Sequence, residues 1–223
     1  MKPLLADEQD GITLQDLGRA SLQIVHDIKN QLNGLKLYAT FLRKRMEKIE
    51  QTAEEQETVT KLIAGLDRAT GDLTVLMQYG GPIQLQRQPG VDLQKLLRSV
   101  AGGLSAGGES VEALVIDSDP APLAGEFDPT ALTDALKAIA RGALRTQSRD
   151  SATPIQVRLS RAETQATAII ECQPVNFSND DPFRSFNGSE AIRMSLAAKI
   201  IEAHGGFAEY QGDVLRISLP LTE

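Results

Sequence analysis

The sequence predicts an α+β chain. An N-terminal antiparallel helical hairpin pairs into a dimeric four-helix bundle, and a C-terminal α/β sandwich follows. Three observations predict this. Apolar residues up to Tyr79 recur in alternating steps of three and four, at Val25, Ile28, Leu32, Leu35, Ala39, Leu42 and Met46, and again at Val59, Leu62, Leu66, Ala69, Leu73 and Leu76. Such spacing is the seam of packed helices. Beyond Tyr79-Gly80-Gly81-Pro82 the pattern changes to short apolar runs, turn residues and helix-length segments, the signature of a layered domain. The length of 223 residues and the hydrophobic content of 41% suffice for one large or two small domains with a real core.

Residues 1–12 are mostly polar and read as a flexible N-terminus. Thr13 and Asp16 resemble a capping box, so the first helix is expected from Leu14 to about Glu50. The polar stretch 50–56 makes a turn, and a second helix covers about 57–79. Two such helices joined by a short loop form a hairpin. One hairpin cannot close a core, but two can, so a homodimer through the hairpin of residues 13–79 is expected. Gly80, Gly81 and Pro82 stop the second helix, and residues 80–90 form a linker or short edge strand. In the second domain, 91–223, Asp92 opens a helix from Leu93 to about Leu104. Glu112 to Asp117 and Leu123 to Phe127 are strand-like. Asp128-Pro129 starts a helix to about Thr146, with Pro in the favoured first turn. Pro154 to Ser160 and Ala166 to Cys172 read as central strands. A polar loop, Asn176 to Gly188, precedes a helix ending at His204-Gly205-Gly206. Phe207 to Gln211 and Val214 to Leu219 form a hairpin around Gly212-Asp213.

Composition excludes several functions. The net charge of -7 argues against nucleic acid and anionic lipid as partners. Aromatics are only 4% and Trp is absent, so there is no stacking platform for single strands. The lone Cys172 excludes an internal disulfide and thiolate metal clusters, and fits a reducing cytoplasmic setting. No apolar run is long enough to span a membrane. No metal-ligand spacing and no phosphate-binding glycine loop of the P-loop kind is present.

One of only two histidines, His26, lies on the first helix. Asp27 follows it directly and Asn30 lies one turn on, on the same helical face. Lys29, Asn33, Leu37 and Phe41 extend the neighbourhood along the helix. Alone, such a histidine is an ordinary surface residue. The other, His204, reads as a cation capping a helix C-terminus.

The stretch His26-Asp27-Ile28-Lys29-Asn30-Gln31 resembles the phosphoacceptor motif of sensor histidine kinases, His-Glu/Asp-x-x-Asn/Thr-Pro, with Gln31 in place of the proline. The order of a hairpin with an early His, a linker and an α/β domain ending in His204-Gly205-Gly206 resembles their catalytic core over residues 14–221. The second domain then resembles a degenerate histidine-kinase ATPase domain. The asparagine positions that hold magnesium in the family fall on Ala138 and Gly142. The Asp-x-Gly-x-Gly motif is replaced by Glu171-Cys172-Gln173-Pro174-Val175. The phosphate-cradling glycine motif falls on Ser189-Glu190-Ala191-Ile192-Arg193-Met194. Phe183-Arg184-Ser185-Phe186 resembles the family's phenylalanine motif. These losses argue against ATP binding, and no intrinsic cofactor or metal is expected.

In character the chain is closest to the dimeric histidine phosphotransferases of phosphorelays. That resemblance implies that His26 accepts a phosphoryl group from the aspartate of a response-regulator receiver domain and passes it to another. The receiver would supply Mg2+. By the same resemblance Asp27 fixes the imidazole tautomer and Asn30 sits where kinases orient water. Lys29, Asn33, Leu37 and Phe41 would meet the partner. A noncatalytic pseudokinase scaffold and a divergent ATP-dependent kinase are the alternatives.

Overall fold

Leu4 to Asp16 contains good helix formers and no proline, with Gly11 the one weak position, and helix α1 (Leu4–Met46) runs through them. The helix therefore begins ten residues before the expected start, directly after Pro3, and residues 4–12 are not a loose tail. The structure is a computed structural model that describes residues 4–46, 53–106, 114–118, 121–146, 154–163, 166–177, 181–186 and 188–222. Helix α2 (Ala53–Gly80) also begins earlier than expected, with Glu54 and Glu55 in its first turn, where the helix dipole favours acids. The chain separates into two compact units, Met1–Pro82 and Ile83–Glu223.

In the first unit α1 packs along α2. Among the described side chains of α1, and setting aside the half-buried Thr40, those buried or half-buried are Leu22, Val25, Lys29, Leu32, Lys36, Ala39, Arg43 and Met46. Their steps still alternate three and four, but this is not the seam expected from hydropathy. Val25, Leu32, Ala39 and Met46 belong to both. Lys29, Lys36 and Arg43 replace Ile28, Leu35 and Leu42, because long basic side chains can bury their methylene stems along a seam; Arg43 buries its Nε as well. Lys36 Nζ pairs across the hairpin with Asp67 Oδ1 at 2.5 Å. Ile28, Leu35 and Leu42 join Ile24 and Tyr38 in an exposed apolar stripe beside the seam.

Among the described residues the second unit holds ten elements. They are β1 (Gln88–Asp92), α3 (Leu93–Ala106), β2 (Leu114–Ser118), β3 (Ala124–Phe127), α4 (Pro129–Arg145), β4 (Ile155–Arg161), β5 (Thr167–Gln173), α5 (Ser189–Ala203), β6 (Phe207–Gln211) and β7 (Val214–Pro220). Strands β1 and β3 pair antiparallel, so the last residues of the expected linker are a strand. The other five form a mixed sheet in the order β2-β4-β5-β7-β6, with β2 parallel to β4 and the remaining pairs antiparallel. Side chains alternate along each strand. Val157, Ile170 and Ile217 point into the core that Leu97, Leu136 and Ile201 of the helices complete.

The opposite face carries charge in register. Asp117, Arg158, Glu171, Arg216 and Glu209 stand side by side across all five strands, alternating in sign. Arg216 reaches Glu171 at 2.7 Å and Glu209 at 3.7 Å. Such exposed pairs add little stability. They do oppose a one-residue slip, which would drive every charge into the core.

Turn chemistry closes the elements. Asp128 caps α4 ahead of Pro129. His204, Gly205 and Gly206 end α5 in a Schellman motif: Gly206 N–H donates to Ile201 O at 3.0 Å and Gly205 N–H to Glu202 O at 2.8 Å. Gly205 has φ +80°, which a side chain would strain.

Candidate functional site

His26 sits in the middle of α1, with its side chain 50% exposed. Its Nδ1 lies 3.3 Å from Asp27 Oδ1 and 3.4 Å from Asn30 Nδ2. Helical spacing makes this possible, since Asn30 is one turn from His26. Asp27 is held in turn by Gln23, whose Nε2–H donates to Asp27 Oδ1 at 3.0 Å. Both ring contacts converge on Nδ1. Among the described residues Nε2 has no hydrogen-bond partner. A carboxylate only accepts, so Asp27 favours a proton on Nδ1 and an in-plane lone pair on Nε2. An imidazole so arranged presents a nucleophile to solvent.

Asn33, Leu37 and Phe41 continue the His26 face towards the C-terminal end of α1, and all three are exposed. At 1.5 Å per residue, Phe41 lies about 22 Å along the axis from His26. Leu37 and Phe41 do not fill the hairpin core, for they are 55% and 59% exposed. Lys29 departs from the group. It is half-buried on the seam against α2 rather than beside the imidazole. Gln23 is the site residue that sequence reading missed. Its signal was there: Gln and Asp at i and i+4 are hydrogen-bonding neighbours on any helix.

In the second unit, two of the three stretches set against nucleotide motifs, 138–142 and 189–194, lie on α4 and α5, which pack together; the third, Glu171 to Val175, lies at the end of β5. Gly142 on α4 faces Met194 on α5 so closely that a Cβ at 142 would lie 2.5 Å from Met194 Sδ. Met194 itself is buried. Glu190, in the first turn of α5, pairs with Arg145 of α4 at 3.1 Å. Its Oε1 is buried and has no hydrogen-bond partner. Phe183 is buried and Phe186 exposed, and Ser195 Oγ–H donates to Ser185 O at 2.9 Å, tying this loop to α5. Burial pushes the Cys172 thiol up to about 12, which makes it inert. Among the described residues no group of three or more His, Cys, Asp or Glu side chains could hold a metal ion.

His204 differs from its expected role. It is buried and neutral, not a cation at a helix end. Its Nε2 accepts from Asp128 N–H at 3.0 Å, so its proton is on Nδ1, which donates to Ile200 O at 2.8 Å. Burial holds its pKa below the ordinary histidine value. Asp128 accepts from Thr130 and Ala131 N–H, both at 3.0 Å, and from Gln86 N–H at 2.8 Å. Those N–H groups, Ala131's above all, hold its carboxyl below the usual range. Arg87 donates to Ala203 O at 2.7 Å. Asp128 and His204 thus join the start of α4 to the end of α5 and pin residues 86–87 against both.

No family model matches the sequence, and no curated protein matches it. Solved structures do. Full-length ShkA in complex with AMPPNP superposes with a TM-score of 0.70 at 20% identity, covering 91% of this chain and 46% of that one. The Acinetobacter baumannii histidine kinase AdeS superposes with a TM-score of 0.56 at 17% identity, covering 87% of this chain and 95% of that one. The chain spans about half the length of ShkA. At such identities the likeness is one of fold: a helical hairpin followed by an α/β domain of the histidine-kinase ATPase type.

Proposed function

We propose that this chain is a histidine phosphotransferase of a two-component phosphorelay, acting as a homodimer between receiver domains and independent of ATP. The observation that carries the reading is the geometry of His26. The imidazole is half exposed, its Nδ1 is engaged by Asp27 and Asn30, and its Nε2 is open. The donor is an aspartyl phosphate, a mixed anhydride. The Nε2 lone pair attacks phosphorus in line, the P–O bond to the aspartate breaks, and the carboxylate leaves with the electron pair. The proton stays on Nδ1, where Asp27 faces the positive charge that the ring acquires. In the second half a carboxylate of another receiver attacks phosphorus, and the N–P electrons return to Nε2. The receiver's Mg2+ would neutralise the phosphoryl oxygens. Positioning accounts for most of what is left for this chain to supply.

Two further features support the reading. Between α4 and α5, Met194 Sδ occupies the space a side chain at 142 would need. The carboxylate of Glu190, with one oxygen unpaired, stands where the family's phosphate-cradling glycines would be, and would repel a phosphate. These residues do not fit a magnesium–nucleotide. On the first unit, the stripe Ile24, Ile28, Leu35, Tyr38 and Leu42 is left uncovered in a single chain, and a second hairpin would bury it. Leu37 and Phe41 are an apolar landing below His26 for a receiver helix.

The ShkA structure holds AMPPNP, so an ATP-dependent kinase is the reading that the test must separate. Wild type and His26→Ala are incubated with radiolabelled ATP and, separately, with a labelled phosphorylated receiver. Label arriving only from the receiver, and only in wild type, is the expected result. Label from ATP in the purified protein overturns the proposal. Label from neither donor favours a noncatalytic scaffold.

A further inference from the structure

Asp27 is 60% exposed. An exposed carboxylate ordinarily rotates away into water, and a ring contact of 3.3 Å would not hold it. What holds it is Gln23, one turn earlier, whose amide N–H reaches the same Oδ1 at 3.0 Å. The contact of Asn30 pulls the other way. Its Nδ2 is a donor, 3.4 Å from Nδ1, and a donor there favours a lone pair on Nδ1 and hence the proton on Nε2. Asp27 therefore asks for one tautomer of His26 and the amide N–H of Asn30 for the other. Only the first leaves Nε2 nucleophilic.

We propose that Gln23 is a positioning residue that decides this competition. By fixing Asp27 against Nδ1, it keeps His26 in the tautomer whose Nε2 can attack phosphorus. Gln23 touches neither substrate nor imidazole; it acts through Asp27. This inference rests on the phosphotransfer reading, in which Nε2 forms the new N–P bond as the P–O bond of an acyl phosphate breaks and the carboxylate leaves, or as the P–N bond of phosphoramidate breaks and its nitrogen leaves as ammonia. An alternative role for Gln23, a helix-stabilising i,i+4 pair, would leave the tautomer unmoved.

The test uses the full chain and phosphoramidate, a small donor that needs no receiver. Long-range nitrogen–proton NMR reads the tautomer of His26, and the same samples give the rate of phosphorylation at Nε2. In wild type the form with the proton on Nδ1 dominates. Removing one hydrogen bond in Gln23→Ala should lower the tautomer ratio by about two- to ten-fold, and the rate should fall in proportion to the fraction of Nδ1-protonated His26 that is left, with helical content unchanged because Ala is a better helix former than Gln. Gln23→Lys, which restores a donor at the same place, should recover most of both. An unchanged ratio, an unchanged rate, or no recovery in Gln23→Lys overturns the proposal. Failure of the phosphotransfer reading looks different: wild type would take no phosphate from a phosphorylated receiver, while the tautomer shift would still be measurable.

Discussion

Gly142→Ala places one methyl group where Met194 already lies. The new Cβ would stand 2.5 Å from Sδ and 3.2 Å from both Cγ and Cε, against roughly 3.5–4.0 Å for a relaxed contact. Met194 is 1% exposed, so its side chain cannot swing into water to make room. Two effects oppose each other. Ala is better than Gly in a helix interior by about 1 kcal/mol, whereas overpacking a filled core costs about 1–3 kcal/mol. The net expectation is a loss of roughly 0–2 kcal/mol. A double-mutant cycle isolates the contact. In a Met194→Ala background the clash is gone and Gly142→Ala should stabilise by its full propensity gain, so the coupling between the two sites should be about 1–3 kcal/mol. Urea unfolding of the four proteins measures it. Equal stabilisation by Gly142→Ala in both backgrounds would refute the claim that Met194 fills this space. Gly142→Asn, which restores the family's residue type, also buries an amide at a cost of about 1–3 kcal/mol. It should destabilise the fold and bring no rise in melting temperature with ATP.

Other predictions follow from the same physics. His204 has a folded pKa below its unfolded value of about 6.5. Its contribution to stability is present above that pH and is lost as pH falls below it, with a slope of at most ~1.4 kcal/mol per pH unit. Denaturant midpoints from pH 7.5 to 5 should show this loss, and His204→Asn should flatten it; an equal slope in the variant counts against a buried neutral imidazole. Asp128→Ala orphans three N–H groups and should cost roughly 2–4 kcal/mol by urea unfolding, with under 1 kcal/mol contradicting the capping account. The Asp128 contribution is lost only as pH falls below about 4, because its folded pKa is depressed. Leu35→Lys with Leu42→Lys changes side chains that are 53% and 54% exposed in one chain. The variant should stay helical yet sediment as a monomer, since burying the exposed half of four leucines per dimer is worth about 3–6 kcal/mol. A dimer of undiminished stability would place the interface elsewhere.

Most of the second unit was legible because its boundaries are written in local chemistry. Asp128-Pro129, His204-Gly205-Gly206 and Gly212-Asp213 each have one conformation they favour, and strands between them alternate visibly. The hairpin was harder. Lys29, Lys36 and Arg43 look solvated by any hydropathy scale, yet their stems line the seam, so the sequence pointed to a neighbouring stripe. The early start of α1 was hidden because polar residues such as Asp7 and Glu8 suit a helix as well as a tail. The neutral state of His204 depends on the N–H of Asp128, 76 residues away in sequence, and the role of Gly142 depends on Met194. Neither is local, so neither pattern nor propensity could reveal it. At the candidate site, the grouping of His26, Asp27 and Asn30 follows from helical spacing alone. The side on which Lys29 falls, and the hold of Gln23 on Asp27, are set by packing and rotamers that helical spacing alone does not fix.

The central claim is that His26 relays phosphate between aspartates. Its most direct test mixes a phosphorylated receiver, a second unphosphorylated receiver and this chain in Mg2+ without ATP, and follows label over time. Relay through His26 gives transient label on the wild-type chain, followed by label on the second receiver, and neither with His26→Ala. Label reaching the second receiver at the same rate with His26→Ala, or never leaving the first receiver with wild type, would contradict it.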